Sequence, residues 1–238
     1  MPSRPVSTRP RPSRRRNSGR EARRGDMEQH SVPQTTINRL PIYLRCLLQA
    51  QAMRMPVINS LGIAEMAGTN APQVRKDLSY LGELGTRGIG YDVDSLIAHI
   101  SRLLGLTADR RTAIVGFGRL ASALLGYAGF GEHGFSVVAI FDTDHAKIGT
   151  RSLGIEISDV DDLERVLTEL RVDIVVLTVP AKAAQAVADR AAAAGVKAIL
   201  NFAPVRLELP ADVAVRQVDL STELQILSFH LAVQRRDQ

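Results

Sequence analysis

A single cysteine, Cys46, is all the chain has. It excludes an intramolecular disulfide and leaves no thiolate cluster for a metal, so no metal is expected. A small buried residue on a helix is the plain reading of Cys46. There is no run of about 18 apolar residues, the length a membrane-crossing helix needs. The N-terminus lacks the apolar stretch of a secretory signal. These absences lead to the expectation of a soluble protein of the cytoplasm that meets no membrane.

What is present is enough for one or two domains with a core: 238 residues, 45% of them hydrophobic. The net charge of +5 is unevenly placed. Residues 1–26 hold nine arginines against Glu21 and Asp26. Residues 35–91 hold six basic and three acidic residues, and residues 92–238 hold fifteen basic and nineteen acidic ones. A basic tail therefore precedes a basic front and an acidic back. The tail, "MPSRPVSTRPRPSRRRNSGREARRGD", is rich in Arg, Pro and Ser and has almost nothing to bury. It is expected to be disordered. It can add non-specific attraction to phosphates, or the chain can start instead at Met27.

From Thr36 the pattern turns helical, with Ile37, Leu40, Leu44, Leu47 and Leu48 on one face. Pro41 is tolerable only near a first turn. Asn59 or Ser60 can cap a second short helix, which Gly68 breaks, and Asn70 can cap a third with Pro72 in its first turn. Two short helices around a glycine-containing turn are the helix-turn-helix layout. In the third helix Val74, Leu78 and Leu81 form a stripe to bury, while Lys76 and Ser79 lie nearly opposite and Gln73, Arg75 and Tyr80 sit on the shoulders. Arg, Lys and Gln can reach base edges in a major groove, and Ser and Tyr can take phosphates. A solvated helix face would carry the same residues. The stretch "GTRGIGY" weighs against that alternative. Its glycines permit a tight hairpin with Arg87 at the tip, followed by Gly88 and Tyr91, as in the wing of a winged helix whose arginine seeks the minor groove.

The back half opens on "RRTAIVGFGRLASALLGYAGFG". A short apolar strand from Ala113 to Val115 leads into Gly116-Phe117-Gly118-Arg119-Leu120-Ala121 and then a helix. The glycines allow a tight turn and close backbone approach to a pyrophosphate, and the small Ala121 lets helix pack on strand. A second strand, "FSVVAIFD", ends at Asp142, 26 residues after Gly116. A carboxylate there can accept from the adenosine ribose hydroxyls and repel a 2′-phosphate, which favours NAD over NADP. His145 and Lys147 follow with no role set by spacing. The helix "DVDDLERVLTELR", strand "VDIVVLTVP", helix "AKAAQAVADRAAAAG" and strand "KAILNFAP" then alternate as in a doubly wound parallel sheet. Ligands bind at the C-terminal strand ends, so Thr178, Val179 and Pro180, with Asn201, Phe202, Ala203 and Pro204, are expected to line a site. Ordinary strand-to-helix turns would also look like this. In the final helix Leu220, Leu224, Leu227 and Leu231 form one stripe and Ile226, Phe229 and Val233 another. Its own domain can cover one stripe and a second subunit the other.

Two enzyme readings compete. An NAD-dependent dehydrogenase lacks support, because residues 110–205 make little more than a minimal nucleotide domain and no substrate domain follows. His99, His133, His145 and His230 are scattered. A coenzyme A-binding ligase-like subunit would leave the winged helix unexplained. A regulator that binds dinucleotide and DNA explains both halves.

The chain closely resembles the Rex family of bacterial redox-sensing transcriptional repressors over residues 36 to about 233. The likeness rests on "LPIYLR", "QVRKDLSYLGELGTRGIGY", "VGFGRLASALLGY", "FDTDHAKIG", "NFAPVRLELP" and "VDLSTELQILSF". The resemblance implies no enzyme activity. It implies a homodimer that swaps its C-terminal helix and binds an inverted-repeat operator with NAD⁺, then leaves it as NADH rises. It also implies that Arg45, Tyr127 and Asp219 link the DNA-binding domain, the nicotinamide pocket and the partner subunit, with Leu220 at a nicotinamide-proximal position. From sequence alone these would be a surface Arg, a core Tyr and a helix cap. Ala121 stands where the family usually has a third glycine, and Arg119 where many members have Asn. The expected organisation is a tail over residues 1–34, a winged-helix domain over 35–105, a Rossmann NAD(H)-binding domain over 106–218 and a dimerisation helix over 219–238.

Overall fold

A computed structural model describes residues 32–82 and 84–234. The basic tail through residue 31 and the last four residues of the C-terminal helix expectation lie outside the described residues. The chain divides into two compact units, one through Gly105 and one from Leu106.

The first unit runs α1 (Gln34–Ala52), β1 (Val57–Ile58), α2 (Ser60–Ala67), α3 (Ala71–Ser79), β2 (Gly85–Thr86), β3 (Gly90–Asp92) and α4 (Val93–Leu103). Local chemistry sets the ends of its short helices. The Asn59 side chain accepts from Gly62 N at 2.9 Å, and that of Asn70 accepts from Gln73 N at 2.9 Å, so each satisfies a backbone donor the helix leaves free. Gly68 closes α2 in the left-handed region at φ 65°. Leu40 and Leu47 of α1, Ile63 of α2, Val74 and Leu78 of α3, and Leu96 and Ile100 of α4 are buried together in the unit's interior. Each contributes about 1.5–3 kcal/mol by leaving water.

Pro41 departs from expectation. It is well inside α1, which begins at Gln34, and the helix continues through it. Proline removes one backbone donor there, but Leu40, Tyr43, Leu44, Cys46 and Leu47 are buried on either side, and that packing outweighs the missing bond. Helix α4 lies outside the sequence expectations, although Val93, Leu96 and Ile100 repeat at helical spacing. The hairpin around Arg87 forms as β2 and β3, and β1 joins to give an antiparallel sheet of order β1-β3-β2. Gly90 is required in it: φ is +120°, and a Cβ would lie 2.6 Å from the Ile58 carbonyl oxygen.

The second unit contains β4 (Arg110–Val115), α5 (Arg119–Leu125), α6 (Ala128–Glu132), β5 (Phe135–Asp142), β6 (Arg151–Ser152) and β7 (Ile155–Asp159). A short 3₁₀ turn then leads into α7 (Leu163–Glu169), followed by β8 (Ile174–Leu177), α8 (Ala181–Ala193), β9 (Ala198–Asn201), β10 (Ala214–Gln217) and α9 (Leu220–Gln234). The sheet order is β10-β9-β8-β4-β5-β7-β6. Every pairing is parallel except β6 with β7. Counting β4 as first, this is the doubly wound order 3-2-1-4-5-6 with an added edge strand. Ala113 and Val115 face a core shared with Leu163, Leu167, Ala184 and Val187 of α7 and α8, while Ile114 packs with Ala121 and Val176 on the other face.

Three features differ from the sequence expectations. Strand β4 starts at Arg110 rather than Ala113, because Arg110 N donates to the Gly134 carbonyl and its pairing with β5 begins there. The helix expected over "DVDDLERVLTELR" splits, since the Asp159 carboxylate caps a 3₁₀ turn by accepting from Asp161 N at 2.9 Å. Helix α9 buries nothing: Leu220, Leu224, Leu227, Leu231, Ile226, Phe229 and Val233 are all exposed. The expectation that its own domain covers one stripe therefore fails, and both stripes are exposed.

Candidate functional site

In the first unit α3 presents the expected face. Lys76, Ser79 and Tyr80 are exposed, and Val74 and Leu78 are buried behind them. Ser79 Oγ donates to the Lys76 carbonyl at 2.7 Å, and Arg75 Nη1 donates to Ser60 Oγ on α2 at 3.0 Å. Arg87 and Gly88 lie in the turn of the hairpin, and Tyr91 is half-buried on β3. A groove of about 960 Å³ runs between α3 and the hairpin, with Arg75, Ser79, Arg87, Gly88 and Tyr91 among its walls.

Behind this face is a feature the sequence expectations miss. Asp77 is 0% exposed, and its carboxylate accepts five hydrogen bonds. Arg39 donates through Nε at 2.6 Å and Nη2 at 2.7 Å, Tyr43 OH at 2.8 Å, Thr36 Oγ1 at 2.9 Å and Gln73 Nε2 at 3.0 Å. Burial alone would raise the Asp77 pKa. The bonds from Arg39, Tyr43, Thr36 and Gln73 outweigh it and hold the carboxyl down at about 2. Burial, with Asp77 adding to it, pushes the Tyr43 hydroxyl up to about 12. Four of the five bonds come from three residues of α1, Thr36, Arg39 and Tyr43, so the cluster bolts α3 to α1. The available signal was the spacing of Thr36, Arg39 and Tyr43 along one side of the helix.

In the second unit the turn between β4 and α5 carries Gly116 to Ala121. Gly116 has φ +90°, and a Cβ would lie 2.8 Å from Val179 Cγ1 and 2.9 Å from the Thr178 carbonyl oxygen. The neighbouring loop thus demands glycine here. Thr178 Oγ1 donates to the Gly116 carbonyl at 2.7 Å, tying the two loops together. A Cβ on Gly118 would meet nothing within 4 Å, so its backbone faces open space. Ala121 is fully buried under the sheet, and Arg119 and Leu120 are exposed. Phe117, Gly118, Arg119 and Lys147 line a groove of about 640 Å³.

Asp142 ends β5 beside this turn. Its Oδ2 accepts from Phe117 N at 2.7 Å and Lys147 Nζ at 3.0 Å, and its Oδ1 accepts from Asp144 N at 2.9 Å. Burial raises its pKa, but the Asp144 and Phe117 amides and the Lys147 ammonium outweigh it, so the carboxyl titrates below its usual range. Of about four acceptor positions on a carboxylate, three are occupied. One is left open. Lys147, given no role by spacing, is what orients this group.

At the end of β9, Asn201 is fully buried, and Phe202, Ala203 and Pro204 follow it. Asn201 Nδ2 donates to Gln217 Oε1 at 2.7 Å and Oδ1 accepts from Ala203 N at 2.9 Å, while Gln217 Nε2 donates to the Ala203 carbonyl at 2.7 Å. Gln217, unmarked in the sequence expectations, thus locks this loop to the segment that enters α9. Two residues on, Asp219 accepts from Ser221 N at 2.9 Å and Ser221 Oγ at 2.6 Å, capping α9. These bonds lower its pKa. Tyr127 is 61% exposed, rather than a core residue, and meets the Phe130 ring edge-on. It borders an apolar groove of about 400 Å³ with Phe130, Phe135, Ile174, Val176 and Leu200. Arg45 is exposed on α1 in the other unit. Val179 and Pro180 follow Thr178 into the N-terminus of α8. Among the described residues no group of His, Cys, Asp and Glu could hold a metal, and no helix is long and apolar enough to cross a membrane.

A winged helix followed by a Rossmann-like dinucleotide fold defines the class. Two family descriptions match in the same order: "Putative DNA-binding protein N-terminus" over residues 31–79 and "CoA binding domain" over residues 107–205. The redox-sensing transcriptional repressor Rex of Streptomyces griseus is 51% identical over 199 residues, covering 84% of this chain and 79% of that protein. Rex of Desulforamulus reducens is 46% identical over 210 residues, 88% of this chain and 100% of that one. Among solved structures, the repressor RSP in complex with β-NAD⁺ and operator DNA is 35% identical with a TM-score of 0.82, covering 86% of this chain and 94% of that chain. RSP in complex with β-NADH is 34% identical at 0.79, covering 86% and 96%. The chain belongs to the Rex family of redox-sensing transcriptional repressors.

Proposed function

We propose that this chain binds an inverted-repeat operator through its first unit and NAD(H) through its second, and leaves the operator when NADH rises. The observation that carries this is the likeness, over 86% of the chain, to a repressor solved with both β-NAD⁺ and operator DNA. The winged-helix domain spans 35–105, the Rossmann domain 106–218 and the dimerisation helix 219–238. An operator-binding repressor works beside the chromosome, in the cytoplasm, and needs no catalytic residue.

Gln73, Arg75, Lys76, Ser79, Tyr80, Arg87, Gly88 and Tyr91 contact DNA in this reading. The residues of the second unit fit a dinucleotide. Gly116 and Gly118 keep the turn free of side chains, the backbone at Gly118 through Ala121 receives the pyrophosphate, and Asp142 accepts from the ribose. Thr178 to Pro180 and Asn201 to Pro204 complete the lining at the strand ends. When bound, the nicotinamide ring carries a positive charge if oxidised and none if reduced. An apolar surrounding accepts a neutral ring at lower cost than a charged one, and Tyr127 is assigned to that surrounding by family likeness rather than by the groove it borders, which opens along the starts of the parallel strands at Phe135, Ile174, Ala198 and Ala214. Arg45, Tyr127 and Asp219 convert that difference into a shift between two dimer arrangements. The shift can be no larger than the difference in affinity for the two. The exposed apolar stripes of α9 supply a surface for the second subunit.

Fluorescence anisotropy of a labelled inverted-repeat duplex at fixed salt tests this. NADH is expected to release the duplex at much lower concentration than NAD⁺. Lys76→Ala is expected to weaken duplex binding, and Arg45→Ala or Asp219→Ala to blunt the response to NADH. A duplex that binds equally with and without either cofactor overturns the sensing role, and a protein that binds no such duplex overturns the DNA role.

A further inference from the structure

We propose that Asp77 fixes the Gln73 amide in one orientation and so makes Gln73 the side chain that reads an adenine in the operator's major groove. The inference rests on the DNA-binding reading above and goes beyond it in assigning a base to one residue and a positioning role to another.

Gln73 is the third residue of α3, one turn before Asp77. After an Asn cap, a glutamine at this place commonly reaches back to the cap's own backbone donor. Here it turns forward, and Nε2 donates to Asp77 Oδ1 at 3.0 Å. The two ends of a side-chain amide differ only in chemistry, and the partner decides which end points where. An amide oxygen turned toward Asp77 would set acceptor against acceptor. Only the orientation with nitrogen inward is stable.

Asp77 itself cannot adjust. Arg39 bonds both its oxygens, Thr36 holds Oδ1 and Tyr43 holds Oδ2, all in a fully buried setting. The Gln73 side chain is only half-buried. With one N–H committed to Asp77, it retains Oε1 and a second N–H, which form a fork of one acceptor and one donor. Adenine presents the complement in the major groove, the N6 amino donor beside the N7 acceptor. The first turns of a recognition helix are where base edges are reached. Arg75 is drawn toward Ser60, and Lys76 is a flexible point charge without such a fork. Gln73 is therefore the residue on this face whose donor and acceptor are fixed beforehand.

The test measures anisotropy of the full-length protein on a set of inverted-repeat duplexes, each with one half-site position changed in both halves. The parent is expected to prefer adenine at one position by roughly 10- to 100-fold, the discrimination of a bidentate contact. Gln73→Ala is expected to bring that position to within about threefold and leave the other positions unchanged. Asp77→Asn is expected to erase the same preference with Gln73 still present, because a neutral amide partner lets the Gln73 amide turn over. The double variant is expected to lose nothing more at that position. Gln73→Glu leaves Asp77 intact and is expected to shift the preference from adenine to cytosine, whose amino group a carboxylate accepts. Uniform weakening of all duplexes by Asp77→Asn, with the preference intact, would show a purely structural clamp and overturn the positioning role. An unaltered preference in Gln73→Glu would overturn the base assignment even where Asp77→Asn fails to fold. A parent that binds no duplex removes the DNA reading itself, and this inference with it.

Discussion

Each unit buries a carboxylate beside its candidate binding surface, and the two are used differently. Asp77 is sealed off, with five donors on a group that has about four acceptor positions. Asp142 is 8% exposed and takes three donors, two of them backbone amides. The first has no capacity left for a ligand and acts on DNA only through what it holds in place. The second keeps one position open and bonds the Gly116–Ala121 turn through Phe117 N. Remaining hydrogen-bond capacity, more than burial, separates a carboxylate that supports a site from one that belongs to it.

Removing the carboxylates should separate these roles most strongly. Asp77→Ala leaves the Arg39 guanidinium and the Tyr43 hydroxyl without their acceptor and is expected to cost about 3 kcal/mol in stability. Asp142→Ala is expected to cost about 1 kcal/mol in stability, while weakening NADH about tenfold. Urea melts and a fluorescence titration with NADH read the two effects. Equal stability losses would erase the distinction.

Acid gives the next effect. Folding lowers the Asp77 pKa from an ordinary 3.8 to about 2. As pH falls, the unfolded chain takes up its proton first, so the stability due to this group is present above about pH 4 and lost on the way to about pH 2. Thermal melts of the parent and Asp77→Asn between pH 5 and 2.5 are expected to converge as pH falls. Parallel curves would contradict the assignment.

The smallest effect concerns Gln217, whose two bonds lock the loop after Asn201 to the entry of α9. Gln217→Ala is expected to cost about 1 kcal/mol and to raise the NADH concentration needed for operator release several-fold, with operator affinity in the absence of cofactor changed less than twofold. Release at the parent's NADH concentration would show that this lock carries no coupling.

Much of the fold was legible because its signals are local. Asn59 and Asn70 cap from within three residues of their partners, and Val74 and Leu78 mark the buried side of α3 at helical spacing. The runs in β4, β5, β8 and β9 are apolar because the sheet is covered on both faces. What stayed hidden is non-local. Asp77 looks like any charge on a helix until Arg39 and Thr36 arrive from 38 and 41 residues away. Gln217 gains meaning only when β10 pairs with β9 and brings it to Asn201. Lys147 acquires its role from the loop that folds it back on Asp142. The two apolar stripes of α9 could be read, but not that its own unit leaves both exposed.

In the proposed function one equilibrium joins the two units, and linkage makes it reciprocal. The most direct measurement is a calorimetric titration of NADH into the free protein and into the protein saturated with operator duplex. NADH is expected to bind the operator complex more weakly, by the same factor by which NADH weakens operator binding. Equal NADH affinity in both states would contradict it.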